Sequence, residues 1–317
     1  MSSSLPPYLQ SLGHGVYAVD TGFNRERFDA AYLIVHDGHA AFVDTGTHFA
    51  VPRLLGSLQA LGVAREAVDF VIPTHVHLDH AGGAGTLMRE LPAARLLVHP
   101  RGARHMIDPA VLWQGALVVY GAEEMQRAYG QVQPVAGERV VTTTDGMAIA
   151  LGGRELVFAD TPGHARHHHC IWDATTQGWF TGDTFGLSYP EFTNERGAWI
   201  LPTSTPVQFE PDVLRASIGR LLARNPQCMY LTHFGRVGDV PRLGALLLSL
   251  LDEMAALGLS LRHAPERHEA LKRGQLEIFV RSLAAHGCRD SRERIAQMLA
   301  MDLELNAQGM EVWLDRG

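Results

Sequence analysis

Apolar residues near the start of the chain come in short β-rich runs, Val16–Asp20, Ala31–His36 and Ala40–Asp44, parted by turn signals such as Asp37-Gly38. Runs of this kind predict strands. The spacing becomes helical over Pro52–Leu61, with Gly62 as the stop. Phe70–Ile72 and Leu96–His99 predict further strands. A helix begun among the small residues after His80 runs on through Leu87–Leu91, and Arg101–Ile107 predicts another. Between about Asp108 and Gly137 the pattern loses its regularity, apart from a helix over Glu123–Tyr129; this stretch reads as a lid or an edge segment. Strands return at Val140–Thr143, Glu155–Ala159, His169–Trp172, Trp179–Thr181 and Met229–Thr232, with a helix over Pro211–Arg224.

After Asp239 the period is helical throughout. Leu243, Leu246, Leu247, Leu250, Leu251 and Met254 form an apolar stripe that Gly258 is expected to close. A second helix is expected over Pro265–Ala285 with Gly287 as its stop. A third is expected to about Leu305, opened by Asp290 and Glu293 as a capping box. The chain therefore reads as an α/β body over 1–238 and a helical extension over 239–317, with no repeat of fixed period.

Composition sharpens this picture. Of the 317 residues, 46% are hydrophobic and 19% charged, the balance of a globular protein. The net charge of −7, without a Lys/Arg run, disfavours a nucleic-acid partner. The 17 histidines raise the expectation of a metal site, although His263, His268 and His286 read as surface residues. Cys170, Cys228 and Cys288 form no disulfide framework or zinc-finger spacing and fit a reducing compartment. The start of the chain lacks the pattern of a signal peptide, and the apolar run Leu246–Leu251 is too short to span a bilayer, so a cytoplasmic location without membrane attachment is expected. The C-terminal stripe is expected to pack on the body or to form a homodimer.

Chemistry is concentrated in Thr74-His75-Val76-His77-Leu78-Asp79-His80, directly after a buried strand. In an extended segment His75 and His77 point to one side, and a turn after Leu78 can bring Asp79 and His80 to face a second centre. Imidazole and carboxylate suit zinc, iron or manganese. Three more candidates follow strand ends: His164 after Thr161-Pro162-Gly163, Asp183 after Thr181-Gly182, and His233 after Thr232.

In the order H-x-H-x-D-H, Pro-Gly-His, Gly-Asp and a late His, the sequence resembles the metallo-β-lactamase-fold hydrolase superfamily, with glyoxalase II and lactonase-like members, over roughly residues 14 to 236. Asp44-Thr45-Gly46 matches its early Asp-Thr-Gly turn. The resemblance implies a four-layer αββα sandwich with metals at one edge of the two sheets. It implies a first metal at His75, His77 and His164, a second at Asp79, His80 and His233, and Asp183 bridging both. Asp44 is a candidate partner behind a ligand histidine. The run Ala165 to His169 departs from the glyoxalase II pattern. His167, His168 and His169 are given no ligand role and are expected to alternate across a strand with one face solvated. A carboxylate at Asp183, where the β-lactamases carry Cys in the second site, argues against β-lactam hydrolysis.

These residues predict a hydrolase holding two divalent metals, zinc first and iron or manganese as alternatives. A metal-bridging hydroxide would cleave an ester, thioester or lactone-type small molecule, with Asp79 and Asp183 as the catalytic carboxylates. The alternatives on the same fold are a mono-iron oxygenase of the persulfide dioxygenase type and a small-molecule phosphodiesterase. Phe185, Tyr189, Phe192 and Trp199 are expected either to wall the pocket or to fill a core beneath a loop, and Tyr189 is a candidate hydrogen-bond donor to an oxyanion.

Overall fold

A computed structural model describes residues 5–204 and 207–316. The chain packs as two compact units. One comprises Met1–Asp160, His167–Gly182 and Gln227–Arg236; the other comprises Thr161–Arg166, Asp183–Pro226 and Val237–Gly317.

The first unit is organised by two sheets. The larger has strands β1 (Leu9–Gly13), β2 (Val16–Asp20), β3 (Ala30–His36), β4 (His39–Val43), β5 (Val68–Ile72), β6 (Arg95–Val98) and β7 (Val140–Thr142), in that spatial order. The other has β8 (Ala148–Leu151), β9 (Arg154–Asp160), β10 (His169–Asp173), β11 (Gly178–Gly182), β12 (Cys228–Leu231) and β13 (Gly235–Val237), in order. Each is mixed. Hairpins make β1 to β4 antiparallel, while β4 to β7 are parallel. Parallel neighbours need crossovers. Helix Val51–Leu61 links β4 to β5, and Ala84–Glu90 links β5 to β6.

Side chains alternate by twos along the central strands and feed two cores. From β3 and β4, Ala31, Leu33, Ala40 and Phe42 pack with Val51, Leu54 and Leu58 of the first crossover and with Leu87 and Met88 of the second. The intervening Tyr32, Ile34, Ala41 and Val43 pack with Phe158, Ile171, Phe180 and Tyr230 of the other sheet. Strands buried on both faces must be apolar on both, so these runs show little polar alternation. Helix Val51–Leu61 carries Pro52 in its first turn and ends at Gly62, whose φ of +67° is the left-handed cap that glycine accepts.

The second unit is largely helical. Pro211–Leu222, Val240–Ser260, Arg267–His286 and Ala300–Arg316 are its long helices. By length and composition Val240–Ser260 would suffice to cross a bilayer. Its buried residues, among them Leu243, Leu247, Leu250, Leu251 and Met254, recur at three and four as in a core helix.

Several boundaries differ from those read in the sequence. Gly258 lies inside its helix: a Cβ there would stand 2.9 Å from Trp313 and 3.0 Å from Met310, so the glycine admits a neighbouring helix rather than ending its own. The third helix begins at Ser291, whose side chain accepts from Arg294 N at 3.2 Å; Asp290 lies outside it. The helix stops at Met298 and a new one starts at Ala300. The supposedly irregular stretch after Asp108 contains a helix of 11 residues, Ala110–Tyr120, and the turn Met125–Tyr129.

Candidate metal centre

Strand direction explains why candidate donors collect. β9 and β11 both pair antiparallel to β10 and so run the same way, and β12 is parallel to β11. The segments bearing His164, Asp183 and His233 leave the same ends of these strands. In the first sheet, parallel β4 and β5 end at Asp44 and at Pro73–His80. Ligands of open α/β sheets gather at such carboxyl ends.

Asp44 organises the first unit's donors. Its backbone has a φ of +57°, a left-handed turn that Asp tolerates better than most residues. The carboxylate accepts from Thr74 N at 2.7 Å, Thr74 Oγ1 at 3.0 Å and Thr232 Oγ1 at 2.7 Å. His80 Nδ1 lies 2.9 Å from its Oδ2. Beside a carboxylate that nitrogen carries the proton, so His80 presents Nε2 as its lone pair. His233 is set the same way, with Nδ1 3.1 Å from the Phe28 carbonyl. His80 Nε2 and His233 Nε2 then stand 3.7 Å and 3.4 Å from Asp79 Oδ2. Donor atoms of Asp79, His80 and His233 all lie within 4.8 Å of one another.

A second group has the same property: donor atoms of His75, His77, His164 and Asp183 lie within 4.8 Å of one another. His75 Nε2 and His77 Nδ1 are 2.7 Å apart, and His164 Nε2 is 3.2 Å from Asp183 Oδ2. Ring nitrogens and a carboxylate oxygen converging like this make a donor set for a borderline cation. All seven residues read from the sequence therefore fall into these two groups. Of the five histidines only His77 is not buried, and the Asp79 side chain keeps 23% of its surface in water.

The three consecutive histidines form a buried layer under the centre instead of alternating with a solvated face. His168 stacks on His75 with centroids 4.8 Å apart. His169 lies 2.8 Å from Thr143 Oγ1 and 2.9 Å from the Pro73 carbonyl, just before His75. Burial and the charge of His99 lower its pKa to about 3, so the ring is neutral. β10 is buried along its whole length, which the local alternation of the sequence does not reveal.

Asp29 was not singled out in the sequence. It is buried, accepts from Thr21 Oγ1 at 2.8 Å, and burial pushes its carboxyl up to about 7 against the lowering influence of His233 and His80. Burial, then Tyr120 and Asp79, push the Tyr129 phenol upward. The four aromatics after Asp183 are core residues and not a pocket wall. Phe185, Tyr189, Phe192 and Trp199 are all buried, and the Tyr189 hydroxyl donates to Asp302 at 2.7 Å, which removes it as an oxyanion donor. His268 and His286 are likewise structural: His268 bridges Glu304 and Glu311, and His286 meets the Gly197 carbonyl at 3.1 Å.

Comparison with known proteins follows the same lines. ST1585, a metallo-beta-lactamase fold-containing protein of Sulfurisphaera tokodaii, is 26% identical over 54% of this chain and 62% of its own. Its crystal structure superposes with a TM-score of 0.65 at 19% identity, covering 94% of this chain and 98% of the other. Human MBLAC2, an acyl-coenzyme A thioesterase, is 26% identical over 55% of this chain and 64% of its own. The coenzyme F420H(2) oxidase of Methanothermobacter thermautotrophicus is 28% identical over 56% of this chain and 38% of its own. The matched region thus spans less than two thirds of each of these curated relatives. The family profile described as the metallo-beta-lactamase superfamily matches residues 25–233. Two mixed sheets with a helical C-terminal region, two clusters of histidine and aspartate, and that match place this chain in the metallo-beta-lactamase superfamily.

Proposed function

We propose that the chain is a metal-dependent hydrolase of small acyl compounds: thioesters, esters or lactones. The observation that carries this reading is the pair of donor groups, each gathered within 4.8 Å, with His80 and His233 oriented from behind by Asp44 and the Phe28 carbonyl. His75, His77, His164 and Asp183 would hold one cation; Asp79, His80 and His233 would hold a second, with Asp183 shared. Bound divalent metals supply Lewis acidity and a water made nucleophilic near neutral pH. The Asp79 carboxylate, more open to solvent than that of Asp183, is the one that would take a proton from an attacking water and return it to the leaving group. A relative that is an acyl-coenzyme A thioesterase supports the acyl substrate class.

The test is metal analysis of protein purified without added metal, followed by turnover of acyl thioesters, esters, lactones and small phosphodiesters. Two equivalents of transition metal and acyl hydrolysis are expected. His77→Ala and Asp183→Ala should lose an equivalent and cut turnover by more than the roughly hundredfold that outer partners cost. Full activity in either variant would refute the assignment. The oxidase relative favours one second reading, oxygen chemistry at iron. Iron as the sole metal, with oxygen consumption and no acyl hydrolysis, would establish it instead.

A further inference from the structure

Asp29 is a buried carboxylic acid that neither packing nor the chemistry above accounts for. The residue is 0% exposed. Its Oδ2 accepts from the Thr21 hydroxyl, whereas Oδ1 has no hydrogen-bond partner among the described residues. A buried carboxyl satisfied at one oxygen only costs stability. The partner that the chain itself does not supply is a water or an ion.

The backbone sets this side chain beside the second donor group. On one side of Asp29 the Phe28 carbonyl meets His233 Nδ1 at 3.1 Å, and on the other Ala30 N donates to the Thr232 carbonyl at 2.8 Å. Burial acts most strongly on the carboxyl, followed by the charges of His233, His80 and Asp79, the three members of that group. All of these residues belong to the first unit.

Charge gives the reason to keep an acid here. Among the seven donors the carboxylates are Asp79 and Asp183, and the other five are imidazoles, which bind metals in the neutral form. Two divalent cations would leave a buried surplus of positive charge, and acidic groups beyond the ligands must offset it. Asp44 is one such group, acting through His80. We infer that Asp29 is another: from beside His233, its carboxylate secures the cation held by Asp79, His80 and His233. Asp29 lies outside that 4.8 Å group, so it acts through its charge as a positioning residue and not as a ligand. The competing role is structural, a carboxyl kept to hold Thr21. An asparagine would hold Thr21 as well, because its carbonyl oxygen accepts the same hydroxyl.

This inference rests on the two-cation reading above. The test is zinc binding, measured by chelator competition, on the parent protein and on Asp29→Asn. One of the two zinc equivalents should weaken by about ten- to a hundredfold and the other by less than about threefold. The thermal midpoint of the metal-free protein should hold or rise, since the substitution removes a buried charge satisfied at one oxygen only. Unchanged affinities, an equal loss at both equivalents, or a lower metal-free midpoint would overturn the inference. Asp29→Ser, smaller and also uncharged, replaces the Asn variant if that protein is insoluble; insolubility of both marks the carboxyl as structural and overturns the inference too. A parent protein that takes up a single zinc refutes the two-cation reading and this inference together. Two equivalents in the parent with no change in the variant refute this inference alone.

Discussion

At the scale of single residues, Asp44 concentrates the most consequence. One carboxylate holds Thr74 at the head of the histidine run, His80 within it and Thr232 beside His233. Asp44→Asn is the informative change, because Asn accepts the left-handed backbone and only charge and acceptor capacity are altered. Metal affinity should fall by about ten- to a hundredfold, read by competition with a chelator, with the thermal midpoint of the metal-free protein much less affected. Metal content and affinity equal to the parent's would show that His80 is oriented by something else. A comparable site of tension is the Arg154–Asp173 pair, two fully buried charges joined by two hydrogen bonds, with Thr176 and Thr175 also donating to the aspartate. Arg154→Met strands the carboxylate and should cost about 3–5 kcal/mol in a denaturant titration.

At the scale of elements, His169 is the cross-link to examine. It lies on β10 but bonds Thr143, just past β7, and the Pro73 carbonyl, just past β5, so it fastens one sheet to the other. A pKa of about 3 in the fold against about 6.5 in the open chain means that the unfolded state takes up the proton first on acidification. Stability from this residue is therefore complete above about pH 6.5 and drains away as pH falls toward 3, on the order of 4 kcal/mol at the limit. His169→Gln keeps one donor and one acceptor without titrating. It should flatten the stability profile across that window, and an unchanged slope would exclude His169 as its source. Elements also show what the sequence discloses and what it conceals. The run His75–His80 is legible because four donors sit on contiguous chain, and His164, Asp183 and His233 are legible because each follows a strand end. The depth of β10 is not, since alternation reports a solvated face only where one exists. Ser291 outcompeting Asp290 as a cap, and Gly258 serving a neighbour's ring, depend on contacts made by residues distant in the chain or on one hydrogen bond.

For the molecule as a whole, the helices after Val237 are not a detachable tail. Within the second unit Tyr189 bonds Asp302, Trp199 Nε1 donates to Ser282 at 2.9 Å, and Ser204 N donates to Asn306 at 2.7 Å. A chain ended at Gly238 should therefore lose the packing of residues 183–226 and collect in the insoluble fraction; a soluble, metal-loaded product would contradict this. The order of synthesis gives helix Val240–Ser260 a further consequence. Pro211–Leu222, one of its packing partners, leaves the ribosome before it, whereas Arg267–His286 and Ala300–Arg316 emerge only afterwards. For that interval a segment apolar enough to pass for a membrane anchor lacks two of its packing partners, so the growing chain is most exposed to capture by chaperones or insertion machinery before Arg267–His286 and Ala300–Arg316 have emerged.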